Sequence, residues 1–181
     1  MRLLRPLILG LALVAFANPG QCSEASDITE FAIVVDGSTL LISTVSIKLT
    51  GIDALELGQK CIGPGSIEWD CGLHAKRSLV EKIGDRPVSC RQLQIDGYGR
   101  PSATCAASNG EDLAAAMVRS GYALACGQRY LEDERTAHLA GDGMWSGSFQ
   151  TPWEWRAQQP DPPEICDDIN CFRLSCGATC R

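Results

Sequence analysis

From Phe31 to Ile52 apolar residues alternate with small polar ones, and β-branched residues recur throughout. A repeat of about two places successive side chains on opposite faces of a strand. Three consecutive strands are expected, over residues 31–35, 39–42 and 45–52. Asp36-Gly37 supplies the first turn and Ser43-Thr44 the second. Residues 57–70 carry Gly58, Gly63, Pro64 and Gly65 and read as a loop. The period then lengthens: Ala75, Leu79, Val80 and Ile83 predict a helix over 71–83, closed by Gly84. Residues 87–95 and 103–107 are again strand-like, joined by the turn "DGYGR". Acids at 111–112 open a second helix, with Leu113, Ala116 and Met117 on its buried side and Gly121 at its end. A weakly amphipathic third helix is expected over 128–140. After Trp145 no helix or strand pattern continues. "QQPDPPE" reads as a proline-rich link, and four cysteines fall between 166 and 180.

This order is three strands, helix, two strands, helix, helix. It predicts a mainly β fold with helices (α+β): a five-stranded OB-fold barrel with a helix between the third and fourth strands. A disulfide-stapled, cysteine-rich C-terminal tail follows.

The N-terminus changes the compartment. Arg2 and Arg5 precede an apolar run from Leu7 to Phe16, and Ala15-Phe16-Ala17 offers small residues at both peptidase positions. That is the pattern of a signal peptide over residues 1–17. The run is shorter than the ~20 residues of a membrane span, and no second such segment follows. The expected product is exported, periplasmic or secreted. Its ten cysteines, an even number, are expected to be oxidised. Cys61 with Cys71 would staple the 57–70 loop to the first helix, and Cys90 with Cys105 would tie two strands across the "DGYGR" turn. The tail cysteines are left to pair among themselves or with Cys22 and Cys126. Cleavage removes two arginines and no acid, so the net charge moves from −6 to −8. With no basic run, strong non-specific binding of long nucleic acid is disfavoured. The two histidines, His74 and His138, lack a convergent carboxylate pattern for zinc, and no GxSxG stretch supports a serine hydrolase.

The candidate chemistry lies where two apolar runs end in acids, "VVDGSTLLI" and "IKLTGIDALE". Together with "DCGLHAK", "DGYGRPSATC", "GEDLAAAMVRSGYAL" and "GMWSGSFQTPWEWR", these stretches resemble the staphylococcal nuclease (thermonuclease) family from about Phe31 to Arg156. The chain is also similar to an exported rhizobial branch of that family associated with succinoglycan (exopolysaccharide) biosynthesis. The division expected is a nuclease-like OB-fold domain over 28–156 and a tail over 157–181.

The resemblance implies calcium-dependent hydrolysis of phosphodiester bonds in DNA or RNA. Carboxylates and a main-chain carbonyl hold the ion, a glutamate activates water, and two arginines grip the phosphate. Asp53 matches a metal carboxylate, Glu56 the base and Arg100 one phosphate arginine. Ser38 stands where the other metal carboxylate belongs, Lys48 where the second arginine belongs, and Ala54 and Leu55 where threonine and proline are usual. Calcium prefers anionic oxygen ligands, so Ser38 is the most damaging departure. Lys48 keeps the charge but loses the planar fork. Asp36, two residues before Ser38, is the candidate for compensation. The expected function is therefore an exported thermonuclease-like protein with a degenerate site, serving exopolysaccharide synthesis or the cell envelope. The alternative is an active secreted calcium-dependent nuclease. A third class is a non-catalytic module binding a polysaccharide on the barrel face.

Overall fold

The computed structural model describes residues 27–96 and 99–159. The expected signal segment, Cys22, and the tail from residue 160 with its four cysteines lie outside these. The chain runs β1 (Ile28–Glu30), β2 (Ala32–Val34), β3 (Thr39–Ile42), β4 (Val45–Leu49), β5 (Ile52–Ala54), β6 (Cys61–Ile62) and β7 (Glu68–Trp69). It continues through α1 (Cys71–Ile83), β8 (Val88–Ile95), β9 (Pro101–Ala106), α2 (Leu113–Arg119), β10 (Ala123–Ala125), α3 (Leu131–Ala140) and α4 (Pro152–Ala157).

The main sheet has the order β1-β8-β9-β4-β3-β2. β4 and β9 are parallel and the other pairs antiparallel. Only Phe31 separates β1 from β2, so one bent segment pairs with β8 through its first half and with β3 through its second. The two sheet edges are thus halves of one segment, and the sheet curls into the expected five-stranded barrel, with α1 between the third and fourth barrel strands. Closure leaves few bare edge groups. Leu40, Ile47, Leu49, Leu79, Val88, Leu113 and Met117 fill the interior and are fully buried.

Several local expectations need correction, among them the 57–70 loop, within which β6 and β7 pair antiparallel. The strand expected over 45–52 is two strands: Gly51 has φ +83°, and the turn there sends β5 out of the barrel to pair with β10. Apolar alternation continues through that turn, which hides it. β10, "ALA", has no β-branched residue and was not legible. Within α1, Val80 is exposed rather than part of the buried stripe. Finally, the stretch after Trp145 contains α4. The Thr151 side chain accepts from the Glu154 backbone N–H, Glu154 reaches back to the Thr151 N–H, and Pro152 sits at the start. This is a capping box. The third helix is present but begins at Leu131 rather than at residue 128.

The two local disulfides form as the spacing predicts, Cys61–Cys71 and Cys90–Cys105. Cys126 is also disulfide-bonded. Loops of this size stabilise by about 3 kcal/mol per bridge in the chain-entropy model. Urea unfolding with and without reductant is therefore expected to differ by several kcal/mol. A peptide map joining Cys90 to a tail cysteine would contradict the arrangement.

Candidate functional site

The site is assembled where the β2–β3 turn meets the segment leaving the barrel. Asp36 and Ser38 sit in that turn. Asp36 Oδ1 accepts from the Ser38 backbone N–H at 2.7 Å and from its hydroxyl at 3.2 Å. This is the side-chain-to-backbone bond that aspartate commonly makes in turns. Lys48 lies on β4, one register position from Ser38, and its Nζ donates to Ser38 Oγ at 3.0 Å. The hydroxyl is thus shared between an ammonium and a carboxylate, and Ser38 is buried. Gly37 brings this turn against β5: a Cβ there would come within 2.9 Å of the Ala54 and Ala75 Cβ atoms. Only glycine permits so close an approach of turn, strand and helix.

Asp53 on β5 is buried, and Glu56 follows β5 in a half-buried turn. Three contacts fix that turn. The Gln59 backbone N–H donates to the Glu56 carbonyl at 2.9 Å, and the Glu56 N–H donates to Gln59 Oε1 at 3.0 Å. Gln59, fully buried, also donates from Nε2 to the Gln150 carbonyl at 2.6 Å. The first turn of α1 lies on the Glu56 carbonyl, with Gly72 at the contact. Gln59 therefore couples the Glu56 turn to the chain entering α4.

α4 carries the group that sequence reasoning passed over. Arg156 Nη1 donates to Asp53 Oδ1 at 3.0 Å and Nη2 to Asp53 Oδ2 at 2.8 Å, a two-pronged pair. Nη1 also donates to Glu56 Oε1. The Arg156 side chain is one-third exposed, against 8% for the Asp53 side chain and 23% for Glu56. Burial disfavours the arginine's charge, but its hydrogen bonds to both carboxylates and their negative charge outweigh that and hold its pKa above the ordinary value. Two acids and one base, drawn from segments about a hundred residues apart, form one network. The capping box at Thr151 was the available signal that residues following Pro152 are helical.

Arg100 follows the β8–β9 turn. It is exposed and paired with Asp96, from Nε to Oδ2 at 2.9 Å and through its backbone N–H to Oδ1 at 2.9 Å. The structure thus joins Asp36, Ser38 and Lys48 in one cluster and Asp53, Glu56 and Arg156 in another. It places Arg100 with Asp96 on the rim of the β-turn. Of the other residues considered, His74 is exposed with its ring edge-on to Trp69 at 5.2 Å. Trp145 packs T-shaped on Phe149 at 5.1 Å and against His138.

A closed five-stranded barrel with this helix order, and an acid pair at the exit of the third barrel strand, define a nuclease-type OB-fold. Residues 46–147, more than half of the chain, match the family model for staphylococcal nuclease homologues, and the chain belongs to that family. Among individual proteins it is similar to the succinoglycan biosynthesis protein ExoI of Rhizobium meliloti (strain 1021). The two are 28% identical over 142 residues, covering 76% of this chain and 74% of the relative.

Nucleases of the family are typically calcium-dependent. The residues present do not fit that ion. Both Asp53 oxygens are engaged by Arg156, and the Ser38 hydroxyl receives an ammonium. Among the described residues no three His, Cys, Asp or Glu side chains converge as a metal site requires.

Proposed function

We propose that this chain is an exported nuclease-fold protein that has lost metal-assisted phosphodiester cleavage and serves as an accessory factor in exopolysaccharide (succinoglycan) biosynthesis at the cell envelope. The observation that carries the loss of cleavage is the Lys48–Ser38 hydrogen bond. Where a family nuclease places an anionic ligand, this chain places a neutral hydroxyl held by a cation. The anionic oxygen that would attract a divalent ion at position 38 is absent, and the hydroxyl in its place is already engaged by Lys48. Lys48, offered one acceptor by Ser38, is also a point charge rather than a fork for phosphate.

The exopolysaccharide assignment draws on the likeness to ExoI, over three quarters of both chains. Export draws on the N-terminal pattern and on the disulfides, which persist in oxidising compartments. Among the described residues no helix is long and apolar enough to cross a membrane. The domain of 28–156 is taken as the working unit because Arg156, at its C-terminal end, is hydrogen-bonded to Asp53 and Glu56 beside the barrel. An acidic chain suits a nucleic-acid partner poorly, so a polysaccharide or an envelope protein is the favoured partner. Asp53, Glu56 and Arg100, which match the metal carboxylate, base and phosphate arginine of the family, support the competing reading of an active secreted nuclease using calcium.

Two assays separate these. The oxidised protein lacking residues 1–17 is expected to leave linear DNA and RNA uncut in millimolar calcium, as in chelator. In the native host, deletion of the gene is expected to reduce the secreted exopolysaccharide, and a Glu56→Gln copy should restore it as well as the natural one. Brisk calcium-dependent cleavage, or failure of Glu56→Gln to complement while it accumulates normally, would establish the nuclease instead.

A further inference from the structure

We propose that Arg156 is the resident cation of the Asp53–Glu56 pair: the guanidinium delivered by α4 fills the place between the carboxylates and keeps divalent ions out of it. This rests on the reading that the site no longer performs metal-assisted cleavage. It adds a cause beyond the substitutions at 38 and 48, located at the far end of the domain.

Three observations carry it. The first is stoichiometric. Asp53 presents both oxygens to the two Nη atoms of Arg156, and Glu56 presents Oε1 to Nη1. A planar fork meeting a carboxylate edge-on is the strongest common geometry for this pair. A divalent ion binding Asp53 must first break both bonds, and it would then sit beside the positive guanidinium. The second is placement. Arg156 is not a long surface side chain that happens to fold over the acids. Its helix is fixed at its start by the Thr151–Glu154 capping box. Gln150, two residues before that helix, accepts through its carbonyl from Gln59, which itself holds the Glu56 turn. Trp155 lies over Gly58 in the same turn, within 3.8 Å of where a Cβ would be. The carboxylates and the arginine are thus held by one set of contacts.

The third is electrostatic balance. Asp53 is buried, and two adjacent carboxylates with no cation would repel each other in a poorly solvated place. The Arg156 guanidinium, hydrogen-bonded to both, offsets that repulsion. In this chain it comes covalently attached, so its local concentration does not depend on the ions in solution.

The test uses the full oxidised chain without residues 1–17 and terbium chloride as the probe, with luminescence excited through tryptophan. Trp155 beside the Glu56 turn is the expected donor. The natural protein should show no saturable terbium signal that calcium competes away. Arg156→Gln, neutral and of similar reach, should bind terbium at least tenfold more tightly, and adding Asp53→Asn should abolish that binding. Arg156→Lys, which keeps a charge but not the fork, should fall between the two. It decides the matter if circular dichroism shows Arg156→Gln unfolded. Saturable binding by the natural protein that Asp53→Asn removes would overturn the proposal, as would folded Arg156 variants that bind no better than the natural protein. Neither result involves cleavage. Ion binding without cleavage would overturn this inference and leave the proposed function standing, whereas cleavage by the natural protein would overturn the function itself.

Discussion

Ser38→Asp with Lys48→Arg is expected to leave DNA cleavage nearly as low as in the natural protein, and adding Arg156→Gln is expected to raise it about a hundredfold or more in calcium. Restoring an acid at 38 removes the hydroxyl that Lys48 now holds and returns an anionic oxygen to the site. Restoring a guanidinium at 48 supplies two-pronged contact to a phosphate whose charge grows during attack. A single such donor is typically worth about a hundredfold in rate. Neither change reaches Asp53 while Arg156 Nη1 and Nη2 occupy its oxygens. The three positions act on one site, so their effects should be strongly non-additive. Initial rates on linear DNA, in calcium and in chelator, measure this. Glu56→Gln in the triple background should remove the gain. If the double change alone gives the full rise, Arg156 is no obstacle. If the folded triple variant stays inactive, the pocket has been reshaped at positions other than these.

Gly72→Ala should destabilise the protein by about 3 kcal/mol, the upper range for overpacking a tight contact. A Cβ at 72 would overlap the Glu56 carbonyl oxygen. That carbonyl cannot easily retreat, since the Gln59 backbone N–H is bonded to it at 2.9 Å. The Cys61–Cys71 bridge and the bond from the Gly72 N–H to the Gln59 carbonyl, at 3.3 Å, hold the helix start in place as well. Either α1 shifts or the Glu56 turn does. Gly110→Ala is the comparison. Its φ of +86° makes alanine unfavourable, but nothing lies within 4 Å of the new methyl. Backbone strain alone, about 1 kcal/mol, is expected there. Urea midpoints for the two variants decide between them. Equal losses would mean that the α1–Glu56 contact is looser than described.

Much of this molecule was legible along the chain because its determinants are local. The period-two run of 31–52, the longer period of 71–83 and the glycines at 84 and 121 each act within a few residues, and they marked the barrel strands and helices. Cys61–Cys71 and Cys90–Cys105 close short loops, so spacing found them. The departures proposed at Ser38 and Lys48 rest on residue type alone: a hydroxyl is not a carboxylate, and an ammonium is not a fork.

What the chain order could not show depends on distant segments. Gly51 turns β5 out of the barrel because β10, some seventy residues on, is there to receive it. Gln59 looks like any loop glutamine until Gln150 arrives beside it. Along the chain Arg156 is one basic residue in a stretch read as lacking helix or strand pattern. It becomes the partner of Asp53 and Glu56 only when barrel closure and the docking of α4 bring residues 103 and 100 positions apart into hydrogen-bond range. Local sequence thus determined that this is a nuclease-type barrel. Only the tertiary structure decided what its remaining carboxylates hold, because an ion pair depends on separation in space and takes no account of separation along the chain.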